Sequence, residues 1–185
     1  DKADLLDAGL AVSNKDGRIY DRFRNRVMFP IIDIRGDVIG FGGRVMDDST
    51  PKYLNSPDTP VYNKSRNVFA LNIAKKSRAG RVILTEGYMD TISLHQAGFD
   101  CAVASLGTSL TEEHANILAK YTNQVILTYD GDEAGQNATR RAIPMLEKLM
   151  EVSLQEVTFE SIAELREQIR HCLLYTSPSP RDTER

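Results

Sequence analysis

Two cysteines and three histidines in 185 residues are too few and too scattered for a structural zinc site, which takes four ligands at short spacings. Zinc is therefore not expected here, and Cys101 and Cys172, far apart in the chain, read as free thiols. No apolar run approaches the roughly 18 residues of a membrane span. The charged first residues do not resemble a signal peptide, so the chain reads as cytoplasmic, with no membrane partner. A Walker A sequence is missing. The run Gly40-Phe41-Gly42-Gly43-Arg44-Val45 lacks the third glycine of a dinucleotide fingerprint and falls on a strand-like segment, where a glycine bulge explains it equally well. Composition is not extreme either, with 26% charged residues and a net charge of −3. The length suits one domain or two small ones, enough to bury a real core.

What the chain does have is an uneven distribution of charge. Residues 15 to 81 hold 14 Lys/Arg against 7 Asp/Glu, whereas residues 82 to 150 hold 4 against 9. A basic part followed by an acidic part suggests a polyanion held by the first and a metal by the second. The bland alternative is two solvated faces that happen to differ in sign.

Taken in order, residues 2 to 9 read as a short helix stopped by Gly9, and Asp16-Gly17 reads as a turn. Val27–Ile34 and Val38–Val45 read as the arms of a β-hairpin around Arg35-Gly36-Asp37. Pro30 lacks an amide donor, which makes the first arm an edge strand or places a bulge there. Residues 47 to 66 carry turn chemistry throughout, and loops of that length in compact domains are usually functional or disordered. With Lys52, Asn55, Ser56, Lys64 and Arg66 aboard, this one reads as a phosphate-binding loop, a plain solvated loop being the alternative. A helix is expected over 67–76, with Asn67 as its N-cap.

From Arg81 the period changes to alternating strands and helices. Strands are expected at 82–85, 101–104 and 125–129. Helices are expected from Tyr88 to Ala97, closed by Gly98, from a capping Thr111 to about Tyr121, and from 133 to about 150. Short links between such elements mean βαβ units and a parallel sheet. Two of the apolar runs end abruptly in acid: Val82-Ile83-Leu84-Thr85-Glu86 and Val125-Ile126-Leu127-Thr128-Tyr129-Asp130-Gly131-Asp132. Open α/β sheets bind ligands at such strand ends. Asp130 and Asp132 can reach one point across Gly131, although Asp-x-Asp pairs are also common as helix caps. Glu86, directly after four apolar or small residues, is costly there unless paired, and suits metal ligation or general acid/base work. Asp90 has the simpler role of a first-turn acid facing a helix dipole.

Glu86-Gly87-Tyr88-Met89-Asp90 followed by Asp130-Gly131-Asp132-Glu133-Ala134-Gly135 resembles the Toprim signature. Topoisomerases and some nucleases share that signature. Upstream, Arg24-Asn25-Arg26-Val27-Met28-Phe29-Pro30-Ile31, Gly40-Phe41-Gly42-Gly43-Arg44 and Pro51-Lys52-Tyr53-Leu54-Asn55-Ser56-Pro57 resemble the basic motifs of bacterial DnaG-type DNA primases. The resemblance covers about residues 1 to 150. It implies an α/β fold, a Toprim-type parallel-sheet domain over residues 80–150 preceded by a mixed α+β subdomain over residues 1–79. It also implies Mg²⁺-dependent synthesis of short RNA primers on a single-stranded DNA template from ribonucleoside triphosphates. Glu86, Asp130 and Asp132 would hold Mg²⁺ (or Mn²⁺) with Asp90 in support, and Arg26, Arg44, Lys52, Asn55 and Lys64 would contact template, RNA primer or triphosphate. Another Toprim enzyme, or a catalytically weak single-strand binder, is the alternative.

The same family implies a zinc-binding module before this segment and a domain for the replicative helicase after it, and neither lies among these residues. Residues 151–185 break the pattern. A helix is conceivable over 161–170, but 172–185 reads as a translated cloning remnant, so the parallel sheet is expected to stop at Met150 and to want a neighbour. The expectation is a truncated catalytic core with weak or no initiation activity.

Overall fold

A computed structural model describes residues 1–154. Its elements, in order, are α1 (Lys2–Asp7), β1 (Ala11–Ser13), β2 (Ile19–Asp21), β3 (Arg26–Ile32), β4 (Val38–Val45), β5 (Tyr53–Asn55) and α2 (Leu71–Ala74). Then follow β6 (Val82–Thr85), α3 (Tyr88–Gln96), β7 (Ala102–Ala104), α4 (Glu112–Leu118), β8 (Gln124–Thr128), α5 (Glu133–Leu146) and β9 (Glu151–Leu154). They build a β1–β2 ribbon, an antiparallel sheet β3-β4-β5, and a parallel sheet of order β7-β6-β8-β9.

The parallel sheet forms because its strands are apolar on both sides. All of β6 and β7, and β8 from Val125 on, are buried, which requires cover on each face. From β6 the chain steps one way to β7, then back past β6 to β8 and on to β9. With one hand of crossover, those opposite steps put α3 on one face and α4 and α5 on the other. Accordingly Ile83, Ala102 and Ile126 pack with Leu94 and Phe99. On the other face Val82, Leu84, Val103, Val125 and Leu127 pack with Leu71, Ala115, Leu118, Ala142 and Leu146. The direction of travel reverses between the carboxyl ends of β6 and β8, and that crevice is where such sheets take their ligands.

The expected β3–β4 hairpin is present, with Arg26 opposite Val45 and Pro30 opposite Phe41. β3 is an edge strand, so the missing amide of Pro30 costs no ladder bond, and the register shifts between Ile31 and Ile32. Within residues 47–66, expected to be loop throughout, Tyr53–Asn55 pair with β4 as a third strand.

Two expectations fail. The helix expected over 67–76 shrinks to the four residues of α2, and Asn67 does not cap it. The reason is tertiary: Phe69 exchanges backbone hydrogen bonds with Ala104 at the edge of β7, which holds it extended, and Ala70 must reverse the chain at φ 61°. The sheet also does not stop at Met150. Residues 151–154 pair with β8 in parallel, Gln124 opposite Glu151 and Leu127 opposite Leu154, past the boundary drawn at 150. The 161–170 helix and the divergent run 172–185 lie outside the described residues.

Candidate active site

β6 and β8 run in register, Thr85 beside Thr128, so the residues that follow them emerge at one level. Glu86 leaves β6 and accepts a hydrogen bond on Oε1 from the Asp130 backbone N–H at 2.9 Å. Asp132 is the N-cap of α5, its Oδ1 accepting from Gly135 N–H at 2.8 Å. The cap reading of the Asp-x-Asp pair therefore holds for one of Asp132's oxygens. α5 can begin here only because residue 135 is glycine. A Cβ at that position would lie 2.1 Å from the Asp130 carbonyl oxygen and 2.5 Å from Glu86 Oε1.

The four acids form one electrostatic unit. Burial raises the proton affinity of Glu86 above the ordinary carboxylate range; the Asp130 N–H opposes this, and the charges of Asp130, Asp132 and Asp90 add to it. Asp90 is raised as well, by burial first and by Asp130 next. Asp90 is partly exposed, and its carboxyl folds back towards Gly87, where an added Cβ would lie 3.2 Å from Oδ2. Like charges held this close favour a cation. The donor set is all carboxylate oxygen, which fits a hard ion such as Mg²⁺. Among the described residues no three acidic, imidazole or thiol groups close on a single point, so the cluster is an open one.

The expected basic residues fall into two groups. Arg44 and Lys52 remain available to a ligand: both sit by the Tyr53 ring, at 5.7 Å and 5.9 Å from its centroid. Arg26 instead spends its guanidinium on the protein, donating to the carbonyls of Pro51 at 2.7 Å, Lys52 at 3.3 Å and Gly43 at 3.4 Å, which pins the loop carrying Lys52. Asn55 likewise faces inward, its Nδ2 donating to Leu106 O at 3.0 Å, while its backbone carbonyl accepts from the Arg22 guanidinium. Lys64 enters through its backbone, the amide donating to Asp58 Oδ1 and the carbonyl accepting from His114 Nε2 at 2.8 Å.

Sequence reasoning missed the residues that join these halves. Tyr88, the first residue of α3, is 5% exposed and packs against Phe29, Tyr53 and Phe69 at centroid distances of 5.1, 5.6 and 5.7 Å. His114 is fully buried; its Nδ1 accepts from Thr111 N–H, so Nε2 carries the proton given to Lys64 O, and burial holds its pKa below the usual value. Thr111 adds a hydrogen bond to Ser65 O at 2.9 Å. Nothing in hydrophobic periodicity marks these side chains; only Gly135, closing the Asp130–Gly135 run, carried a visible signal.

Carboxylates at the β6/β8 crevice of a β7-β6-β8-β9 parallel sheet, with α3 on one face and α4 and α5 on the other, define a Toprim-type α/β protein. Residues 1–75 match the N-terminal domain of the DNA primase catalytic core, and residues 83–167 match a Toprim-like domain. Over 144 residues the chain is 54% identical to DNA primase of Clostridium acetobutylicum, and over 141 residues 55% identical to DNA primase of Escherichia coli K12. These alignments take in 77% and 75% of this chain and 24% of each relative, so the chain spans about a quarter of the curated relatives' length. A DNA primase domain from Pseudomonas aeruginosa superposes with a TM-score of 0.83 at 39% identity, over 94% of this chain and 58% of that one. A DnaG primase catalytic domain bound to ssDNA gives 0.82 at 41% identity, over 94% and 57%. The chain belongs to the DnaG-type DNA primases, as a part of their catalytic core. The N-terminal match is what separates it from other Toprim proteins, the topoisomerases and nucleases among them.

Proposed function

We propose that this chain is the nucleotidyl-transfer core of a DNA primase, joining ribonucleotides into short RNA primers on single-stranded DNA. The observation that carries this reading is the Glu86–Asp130 pair at the β6/β8 crevice, linked through Tyr88 to a sheet bearing Arg44 and Lys52. The solved relative bound to ssDNA lends support for the template. In this reading Glu86, Asp130 and Asp132 hold Mg²⁺, with Mn²⁺ as a substitute. A divalent ion held there would supply Lewis-acid activation of an attacking 3′-hydroxyl and neutralise charge on the departing pyrophosphate. Asp90 adds negative charge behind the cluster. Arg44 and Lys52 bind phosphates of template, primer or triphosphate without reading sequence, and Arg26 holds the loop of Lys52 in place. The place of action in this reading is the cytoplasm, at replication forks; the replicative helicase is a partner of the full-length family, through a domain that does not lie among these residues.

Template-directed ribonucleotide incorporation, assayed with and without Mg²⁺, tests the reading. Activity is expected to need the ion and to fall at least about a thousandfold in Asp130→Ala, the scale of removing a principal transition-state stabiliser. Wild-type incorporation by that variant would refute the assignment.

A further inference from the structure

We propose that Tyr88 is a positioning residue whose ring sets the spacing between two cations, Arg44 on β4 and Lys52 just before β5, and the carboxylates that follow β6 and β8. This rests on the nucleotidyl-transfer reading above and adds a role to a residue that touches no substrate in it. Tyr88 lies two residues from Glu86 and two from Asp90, at the first position of α3. Its ring is wedged between the two sheets. Phe29, Tyr53 and Phe69 surround it, and Gly42, paired with Phe29 in the same sheet, leaves no slack, since a Cβ there would lie 3.0 Å from Tyr88 Cε1. Beyond Tyr53 stand Arg44 and Lys52. The path from cation to carboxylate is therefore Tyr53, Tyr88, Gly87, Glu86, each step a ring contact or a covalent bond.

A stiff ring fixes the gap it fills, whereas a smaller side chain lets the sheets close on it. Phosphates gripped by Arg44 and Lys52 would then bind as before but meet the carboxylates out of alignment. Misplacement of that kind lowers the chemical rate and leaves binding alone. The Tyr88 hydroxyl is buried without a partner, so the ring and not the hydroxyl sets the spacing.

The test uses the whole 185-residue chain. Tyr88→Leu is expected to lower kcat for dinucleotide synthesis about 30-fold, with KM for nucleotide and Kd for a single-stranded oligonucleotide within about threefold. Tyr88→Phe restores kcat. Gly42→Ala, which presses on the ring while leaving Tyr88 intact, reproduces the leucine phenotype. With Cys172 replaced by serine, spin labels at positions 37 and 147, both exposed, read the spacing directly. The distance distribution matches wild type in Tyr88→Phe and is shifted or broadened in Tyr88→Leu. Unchanged kcat and unchanged label distance in Tyr88→Leu and Gly42→Ala overturn the proposal, as does a phenylalanine variant no better than leucine or a loss of oligonucleotide binding that matches the loss of kcat. Should the wild type make no primer at all, the nucleotidyl-transfer reading fails, and the label distance alone then decides for or against the spacing role.

Discussion

Gly135 and His114 serve the site without belonging to it. The backbone that a Gly135 side chain would strike, the Asp130 carbonyl, cannot move without breaking the Asp130–Glu86 bond. Gly135→Ala is expected to cost about 1–3 kcal/mol of stability, the range for overpacking, and to abolish primer synthesis. Thermal melting beside the incorporation assay checks both, and a fully active alanine variant would show that the crowding is relieved elsewhere. His114 predicts a pH effect. It is buried neutral with a pKa held below its unfolded value near 6.5, because burial opposes the charged form. The unfolded chain therefore binds the proton more readily. Stability from this group is complete above the unfolded pKa and is lost as pH falls through the lower folded one. Urea melts between pH 5 and 8 should show that decline in the wild type and a flatter profile in His114→Gln.

Among the elements, legibility followed the distance over which each was determined. The β3–β4 hairpin and the strands β6, β7 and β8 were readable because alternation, β-branching and turn residues act over a few positions. α2 was not, because what shortens it is the Phe69–Ala104 bridge, a contact across 35 positions in sequence. Glu86, Asp130 and Asp132 were legible as strand-end acids, yet their spacing, open where convergence was expected, depends on how α5 starts. The inward turn of Arg26 and Asn55 was equally invisible, since a cation that binds phosphate and one that binds carbonyls have the same sequence signature. β9 opens the stretch 151–185 that had no readable pattern, yet residues 151–154 pair in parallel with β8, and Val152 packs against the same core. Ending the chain at Met150 should bare the β8 edge with Val125 and Leu127 and lower Tm. Light scattering on the shortened chain would reveal the resulting association; a shortened chain as monodisperse and heat-stable as the original would mean that β9 contributes nothing to the sheet.

For the whole molecule, the two halves differ in sign and are sewn together at several points. Asn55 reaches Leu106, His114 and Thr111 reach Lys64 and Ser65, and Ile31, Tyr62 and Leu106 share one apolar cluster. Binding of single-stranded DNA should accordingly be salt-dependent and governed by the basic half. Arg44→Ala and Lys52→Ala are each expected to reduce the slope of log Kd against log salt by about 0.7, with little change in sequence preference. Anisotropy titrations across salt concentrations measure this, and an unaltered slope in the double variant would place the DNA elsewhere.

The polarity of the parallel sheet has a practical consequence. Every acid of the site leaves a strand at its carboxyl end, so the amino-terminal ends, fed by the turns at Gly80, Gly98 and Asn123, carry none of the chemistry. Asn123 is exposed there, whereas Gly98 stands at φ 95°, where a side chain would be strained even with open space around it. That pole is the place to attach a fluorophore, a purification handle or a surface tether: cargo there hangs on the side of the sheet away from the carboxylates.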